Sequence, residues 1–166
     1  MIVEKFRMWQ ELADEVSAWK ADGLVVVFTN GCFDLFHAGH ARYLARAKAL
    51  GDRLVVALNS DASLRRLKGP GRPLMPEADR VEVLAALACV DRVAIFDQDT
   101  PLELVGLLVP HVLVKGEDYA DREVVGRDVV EAAGGRVELI PLVEGRSTSE
   151  LIRRIVMAYG GRGDLW

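Results

Sequence analysis

A rhythm constrains this chain more than any single residue does. The short apolar runs LVVVFT (24–29), RLVVAL (53–58), RVAIF (92–96) and HVLVKG (111–116), with RVELIPL (136–142), are separated by stretches of helical pattern. Runs that are apolar at every position, rather than at every second one, belong to strands covered on both faces. Between them lie a helix over 3–21, with Phe6, Trp9, Leu12, Val16 and Trp19 along one stripe, and a second over 41–50 that stops at Gly51. A helix over 76–88 tolerates Pro76 in its first turn. Thr100-Pro101-Leu102-Glu103 offers a capping box for a helix to 108, and a helix over 122–133 stops at Gly134-Gly135. Ser147-Thr148-Ser149-Glu150 opens a last one to 158, while 59–75, with KGPGRP inside it, reads as a loop. Strand and helix in alternation predict an α/β fold, a Rossmann-like doubly wound five-stranded parallel sheet. A single domain over 1–166 is expected, with the N-terminal helix at 3–21, the core at 24–158 and a short tail at 159–166.

Composition removes several classes of function. A net charge of −4 argues against a general nucleic-acid binder, whose footprint is a basic surface. No apolar run approaches the roughly 20 residues that would span a bilayer. The opening residues, MIVEKFRMWQELADEV, are acidic and amphipathic, so no secretory leader is expected. Cys32 and Cys89 lack paired spacing, which argues against a disulfide framework or a zinc site. The expected setting is cytoplasmic and reducing, with no membrane and no nucleic acid as partner.

In open parallel sheets, ligands bind beyond the carboxyl ends of the strands, where the strand order reverses. The unusual residues of this chain fall after strands: 30–40, 59–72, 115–119 and 145–149. Gly31 and Gly39 leave room for backbone to approach a ligand. The helix after His40 presents free N–H groups and the positive end of its dipole, an anion site. His37 and His40 can donate to phosphate oxygens, better still if protonated. Lys68, Arg72 and Lys115 could hold a polyphosphate as it becomes a leaving group, and Ser147 and Thr148 add hydroxyls at another helix start. Cys32 reads as a small buried filler, His111 as a surface residue, Trp9 and Trp19 as packing, and Asp34 as a brace for the loop.

Neither a catalytic triad nor a metal-ligand cluster is visible. A phosphate monoester, with a second pKa near 6, is already largely a dianion at neutral pH and needs no general base. A protein using one as nucleophile need only align it with an activated phosphorus and stabilise the developing charge.

Gly31-Cys32-Phe33-Asp34-Leu35-Phe36-His37-Ala38-Gly39-His40 resembles the G-x-F-D-x-x-H-x-G-H signature of the cytidylyltransferase-like nucleotidyltransferases, and Ser147-Thr148-Ser149 resembles their second signature. TNGCFDLFHAGH, ALNSDASLRRLKGPGRP, VDRV, LVKGEDY and GRSTSELI together resemble the heptose 1-phosphate adenylyltransferases, over residues 28–155. The resemblance implies transfer of AMP from ATP to D-glycero-D-manno-heptose 1-phosphate, giving ADP-heptose and pyrophosphate. It assigns catalysis to His40, His37 and Lys68. Nucleotide binding falls to Asn30, Gly31, Phe33, Gly39, Lys115, Gly116, Ser147 and Thr148, and phosphate or substrate binding to Arg72 and Asp118. It also implies Mg2+ with the ATP, held mainly by phosphate oxygens and water, and a homodimer. Some relatives are fused to a sugar kinase; no such half is present here, so separate kinase and phosphatase proteins are expected. Arg146 and Ser149 depart from the signature, which often has isoleucine and threonine there.

The same signatures fit a cytidylyltransferase acting on glycerol 3-phosphate, although RLKGPGRP and LVKGEDY favour the heptose enzyme. A nucleotide-binding sensor without turnover would not need both histidines and a basic loop. A truncated class I aminoacyl-tRNA synthetase would carry K-M-S-K-S, which is missing.

Overall fold

In a computed structural model that describes residues 2–117 and 124–160, five strands form one parallel sheet: β1 (Val26–Gly31), β2 (Arg53–Asn59), β3 (Arg92–Phe96), β4 (Val112–Gly116) and β5 (Arg136–Ile140). Their order is β3-β2-β1-β4-β5, all neighbours parallel. The helices are α1 (Trp9–Ala21), α2 (Ala38–Lys48), α3 (Asp61–Lys68), α4 (Glu77–Ala85), α5 (Leu102–Leu108), α6 (Arg127–Ala132) and α7 (Thr148–Tyr159). Alternate residues along a strand point to opposite faces, and β2 shows both destinations. Val55 and Ala57 join Leu12 and Val16 of α1, Leu104 and Leu108 of α5 and Val130 of α6 in one core. Leu54, Val56 and Leu58 join Leu44 and Ala47 of α2 and Leu84 and Ala85 of α4 in the other. The doubly wound arrangement expected from the apolar runs is the one found.

The expected elements shift at several places. The helix expected from residue 3 is broken: Ile2–Lys5 is one 3-10 turn, and Phe6 pairs with Val93 along the outer edge of β3. The Arg7 amide donates to the Val93 carbonyl at 3.0 Å and the Trp9 indole N–H to Ile95 O at 2.7 Å. An edge strand offers unpaired backbone groups, and satisfying them takes precedence over continuing a helix. Residues 59–75 are not all loop, because α3 lies within them. Ser60 caps α3 by accepting from Ser63 N at 3.0 Å, and Arg65, Arg66 and Lys68 complement the dipole at its last turn. The capping box expected at Thr100 does not form: the side chain of Glu103 accepts from Gln98 instead, and Pro101 precedes the first helical residue. The helix expected from 122 begins at Arg127, after Gly126 at φ 89°, where a Cβ would stand 2.8 Å from Val105 Cγ1. The beginning of that expected helix, and most of the expected tail, lie outside the described residues.

At the amino ends of the strands, backbone donors without a sheet partner are capped by side chains. Asp52 Oδ2 accepts from Val25 N at 2.7 Å, and Asp91 Oδ2 accepts from Leu54 N at 2.7 Å and from Lys48 Nζ at 2.6 Å. His111, expected as a surface residue, is exposed, yet its Nδ1 accepts from Val26 N at 3.0 Å. This rim is tied down by its own side chains, which directs attention to the opposite one. Asp91→Ala strips the Leu54 amide of its acceptor, and an unsatisfied buried donor costs about 1–3 kcal/mol. The urea midpoint is expected to fall accordingly with an unchanged m-value; an unchanged midpoint would show that water replaces the carboxylate at no cost.

Candidate active site

The strand order reverses between β1 and β4, which are parallel neighbours in space but distant in sequence. A crevice opens there at the carboxyl ends of the strands, the usual ligand position in such sheets. Asn30 and Gly31 end β1, and Lys115 and Gly116 end β4. Lys115, only 5% exposed, donates through Nζ to Asn30 Oδ1 on the adjacent strand. Two residues 85 positions apart, both singled out from sequence, thus meet at the switch point.

From Gly31 the chain turns into α2 through a loop whose backbone is strained. Phe33 and Leu35 both have φ near +49°, a left-handed conformation that costs a non-glycine residue about 1–3 kcal/mol and persists only where its surroundings impose it. Asp34 imposes it. Its carboxylate is 0% exposed and accepts from Arg72 Nε at 2.6 Å, Leu74 N at 2.9 Å and Met75 N at 2.9 Å. Burial alone pushes this carboxyl up, but the two backbone donors and the Arg72 guanidinium together hold it below the usual carboxylate range. Asp34 is therefore an ionised anchor whose two oxygens are both engaged.

His37 is the N-cap of α2, its Nδ1 accepting from His40 N at 3.4 Å. The His37 and His40 rings stack with centroids 3.8 Å apart at 19°, and His40 also meets the Phe33 ring edge-on at 5.3 Å. Burial pushes the His40 pKa down to about 4, with His37 adding to the drop and Asp34 opposing it; burial lowers His37 as well. The added strength that protonation would lend these donors is thus not supplied at neutral pH, where burial keeps the imidazoles neutral. A neutral His37 that accepts at Nδ1 carries its proton on Nε2. His40 Nδ1 is buried and, among the described residues, has no partner. A proton there would be a stranded donor, so the favoured tautomer again carries it on Nε2.

Gly39 lets α2 meet the segment that leads into α7. A Cβ there would lie 2.8 Å from His37 Cε1 and 2.9 Å from the Arg146 carbonyl oxygen. Ser147 caps α7, accepting from Glu150 N at 3.1 Å. Thr148 donates its hydroxyl to the Asp34 carbonyl at 2.8 Å, so its side chain braces the signature loop and only its backbone N–H is left for an anion. A cavity of about 460 Å³ lies between these parts, large enough for a small organic ligand. Gly31, Phe33, His37, Gly39 and His40 line it with Lys68, Arg72, Gly116, Ser147 and Thr148. Asn30 and Lys115 are joined just behind this lining, and Asp118 lies outside the described residues.

Several contributors were not singled out from sequence. Tyr43 lines the cavity, its hydroxyl 2.7 Å from Thr29 Oγ1. Cys32, expected as filler, also lines it, and burial pushes its thiol up, away from the thiolate. Arg80 lies beneath the signature loop and is buried. The available signal for it was its place four residues before Leu84, on the buried stripe of α4. As for a metal, no group of three His, Cys, Asp or Glu among the described residues could hold one. The one carboxylate of the signature loop, Asp34, is fully engaged.

The neutral His40 has a consequence for stability. The unfolded chain takes up a proton near pH 6.5 that the folded chain refuses until about pH 4, so stability falls as pH drops through that window. His40→Asn should flatten the decline, read as urea midpoints from pH 7 to pH 4 in both proteins. Parallel curves would place the His40 pKa near its ordinary value.

A model of the cytidylyltransferase-like family matches residues 28–154. The chain is 57% identical over 155 residues to the bifunctional protein HldE of Syntrophotalea carbinolica, covering 93% of this chain and 32% of that protein. It is 61% identical over 139 residues to HldE of Azorhizobium caulinodans, covering 84% and 29%. It therefore spans less than a third of the length of these relatives. Among solved structures, a lipopolysaccharide core biosynthesis protein from Thermoplasma volcanium superimposes with a TM-score of 0.58 at 27% identity, covering 73% of this chain and 98% of that one. A pantoate-beta-alanine ligase from Francisella tularensis shares the fold with a TM-score of 0.61 at 13% identity, over 87% and 68%. With its signature loop seated at the switch point and the family model spanning most of its length, the chain belongs to the cytidylyltransferase-like family and is a nucleotidyltransferase.

Proposed function

We propose that the protein transfers AMP from ATP to D-glycero-D-manno-heptose 1-phosphate, giving ADP-heptose and pyrophosphate by direct in-line displacement. The observation that carries the mechanism is the pair of stacked, neutral imidazoles at the head of α2, facing a cavity shared with Lys68 and Arg72. A phosphate oxygen of the sugar attacks the α-phosphorus, and the bond from that phosphorus to the oxygen bridging to the β-phosphorus breaks. Pyrophosphate leaves with the bonding electrons. His37 and His40 donate through Nε2–H to oxygens gathering charge at the α-phosphorus, the free N–H groups of α2 and α7 add to this, and Lys68 and Arg72 hold the leaving pyrophosphate. Asp34 cannot serve as a general base, since its oxygens are committed, and a dianionic phosphate needs none. The choice of ATP and a heptose phosphate rests on the sequence segments shared with the heptose 1-phosphate adenylyltransferases and on the identity to HldE proteins. Magnesium enters with the nucleotide as part of the substrate.

The decisive assay is pyrophosphate release across nucleotides and sugar phosphates. ATP with heptose 1-phosphate should turn over, and CTP with glycerol 3-phosphate should do little; faster turnover with the CTP pair would overturn the substrate assignment. His40→Ala should lower kcat by roughly a hundredfold or more while ATP affinity changes much less, because a donor aimed at developing charge adds little to ground-state binding. Unaltered turnover would reduce His40 to a packing residue. Gly39→Ala puts a methyl against both the His37 ring and the Arg146 carbonyl. Displacements of that size cost on the order of a hundredfold, so kcat/KM should fall steeply in a protein that still unfolds cooperatively. Near-normal kcat/KM would show that the α2–α7 contact yields without disturbing the chemistry.

A further inference from the structure

We infer that Arg80 is a positioning residue that sets the two phosphate-facing cations, Lys68 and Arg72, against the signature loop. This rests on the reading of those cations as pyrophosphate ligands. Arg80 is 1% exposed and is not among the residues lining the cavity. Each guanidinium nitrogen is used on a different segment: Nε donates to Met75 O at 3.1 Å, Nη1 to Cys32 O at 2.7 Å and Nη2 to Asp61 Oδ1 at 2.8 Å. Asp61 is the first residue of α3, whose last residue is Lys68. Met75 closes the segment that carries Arg72. Its amide donates to Asp34 at 2.9 Å while its carbonyl accepts from Arg80, so the residue is held between a buried anion and a buried cation. Asp34 and Cys32 are two residues apart in the signature loop. Together the bonds close a ring, from Cys32 O through Arg80 and Met75 to Asp34, that fastens residues 72–75 onto 32–34.

Stability alone is a poor reason to bury this group. A buried ion pair generally gains little over well-packed apolar side chains of similar volume, and Leu84 and Ala85 on the same helix show what ordinary packing uses here. What apolar packing cannot supply is three directed donors in one plane. They fix the Cys32 carbonyl just before the strained residues Phe33 and Leu35, and they hold the flanks of both cations. Arg80 touches no reacting atom; it acts through Lys68 and Arg72.

The test is a double-mutant cycle of Arg80→Lys and Arg72→Ala, read by calorimetric binding of inorganic pyrophosphate with magnesium and by kcat/KM. Lysine keeps the charge but loses the planar fork. Arg80→Lys is expected to weaken pyrophosphate binding at least tenfold when Arg72 is present and less than threefold when it is absent, with kcat/KM following. Equal losses in both backgrounds would overturn the inference and leave Arg80 a structural residue. So would an Arg80→Lys protein that folds and binds pyrophosphate normally, or a wild type with no affinity for pyrophosphate. If Arg80→Lys does not fold, Asp61→Asn loosens one of the three bonds, and the same dependence on Arg72 is expected at smaller size. A wild type that binds pyrophosphate and shows the coupling, yet does not turn over ATP with heptose 1-phosphate, would refute the proposed substrate and leave the role of Arg80 standing.

Discussion

A carboxylate with no exposure to solvent must find its hydrogen bonds inside the protein, because the desolvation of an unpaired ion exceeds what a fold of this size can absorb. Asp34 meets that requirement with Arg72, Leu74 N and Met75 N, and its own carbonyl receives the Thr148 hydroxyl. Two distant segments, 72–75 and the start of α7, therefore converge on one residue of the signature loop. The left-handed backbone of Phe33 and Leu35 is what lets the chain pass from β1 to α2 with that side chain directed inward. Without the anchor, nothing in the local sequence would favour those conformations, and His37 and His40 would lose the loop that aims them.

The sheet has two rims with opposite chemistry. At the amino rim the donors of Val25, Val26 and Leu54 are met by Asp52, His111 and Asp91. At the carboxyl rim α2 and α7 begin over the cavity, with their first N–H groups only partly used by the caps His37 and Ser147. Parallel strands joined by right-handed crossovers start their connecting helices on the same rim, so helix N-termini over the cavity are a property of the topology before any basic side chain is added. Lys68, Arg72 and Lys115 reinforce a field that the backbone already supplies.

Much of this was legible in the sequence, for physical reasons. Strands buried on both faces leave an uninterrupted apolar record, and β2 and β3 begin at the expected residues, 53 and 92. The cavity residues were legible because glycines, histidines and lysines after such runs have few packing roles to explain them. Local competition hid the rest. The start of the first helix was lost because Phe6 answers an edge strand 87 residues away, and α3 was masked by the glycines and prolines that follow it. Thr148 has the residue type of a phosphate contact, but the structure commits its hydroxyl to Asp34. Arg80 was overlooked despite its place on the α4 stripe because a lone arginine in a helix usually faces water, and only the partners Cys32, Asp61 and Met75, from separate segments, make its burial tolerable.

The protonation state of the histidine pair ties these threads to mechanism. Two imidazolium ions with centroids 3.8 Å apart would repel strongly inside the cavity wall, and burial already disfavours one. Charged histidines would also hold the ground-state polyphosphate tightly, and interactions equally strong before and during reaction do not raise kcat. Neutral Nε2–H donors bind a resting phosphate modestly. Their bonds strengthen as negative charge gathers on the oxygens they face, which is where preorganised donors contribute most. In the proposed mechanism, gross charge for holding the nucleotide is then left to Lys68 and Arg72, which line the same cavity. The burial that keeps His40 neutral comes from Phe33, Phe36 and the stacked His37. In the proposed mechanism, the packing of the signature loop therefore sets the division of labour between uncharged donors at the reacting phosphorus and fixed cations at the leaving group.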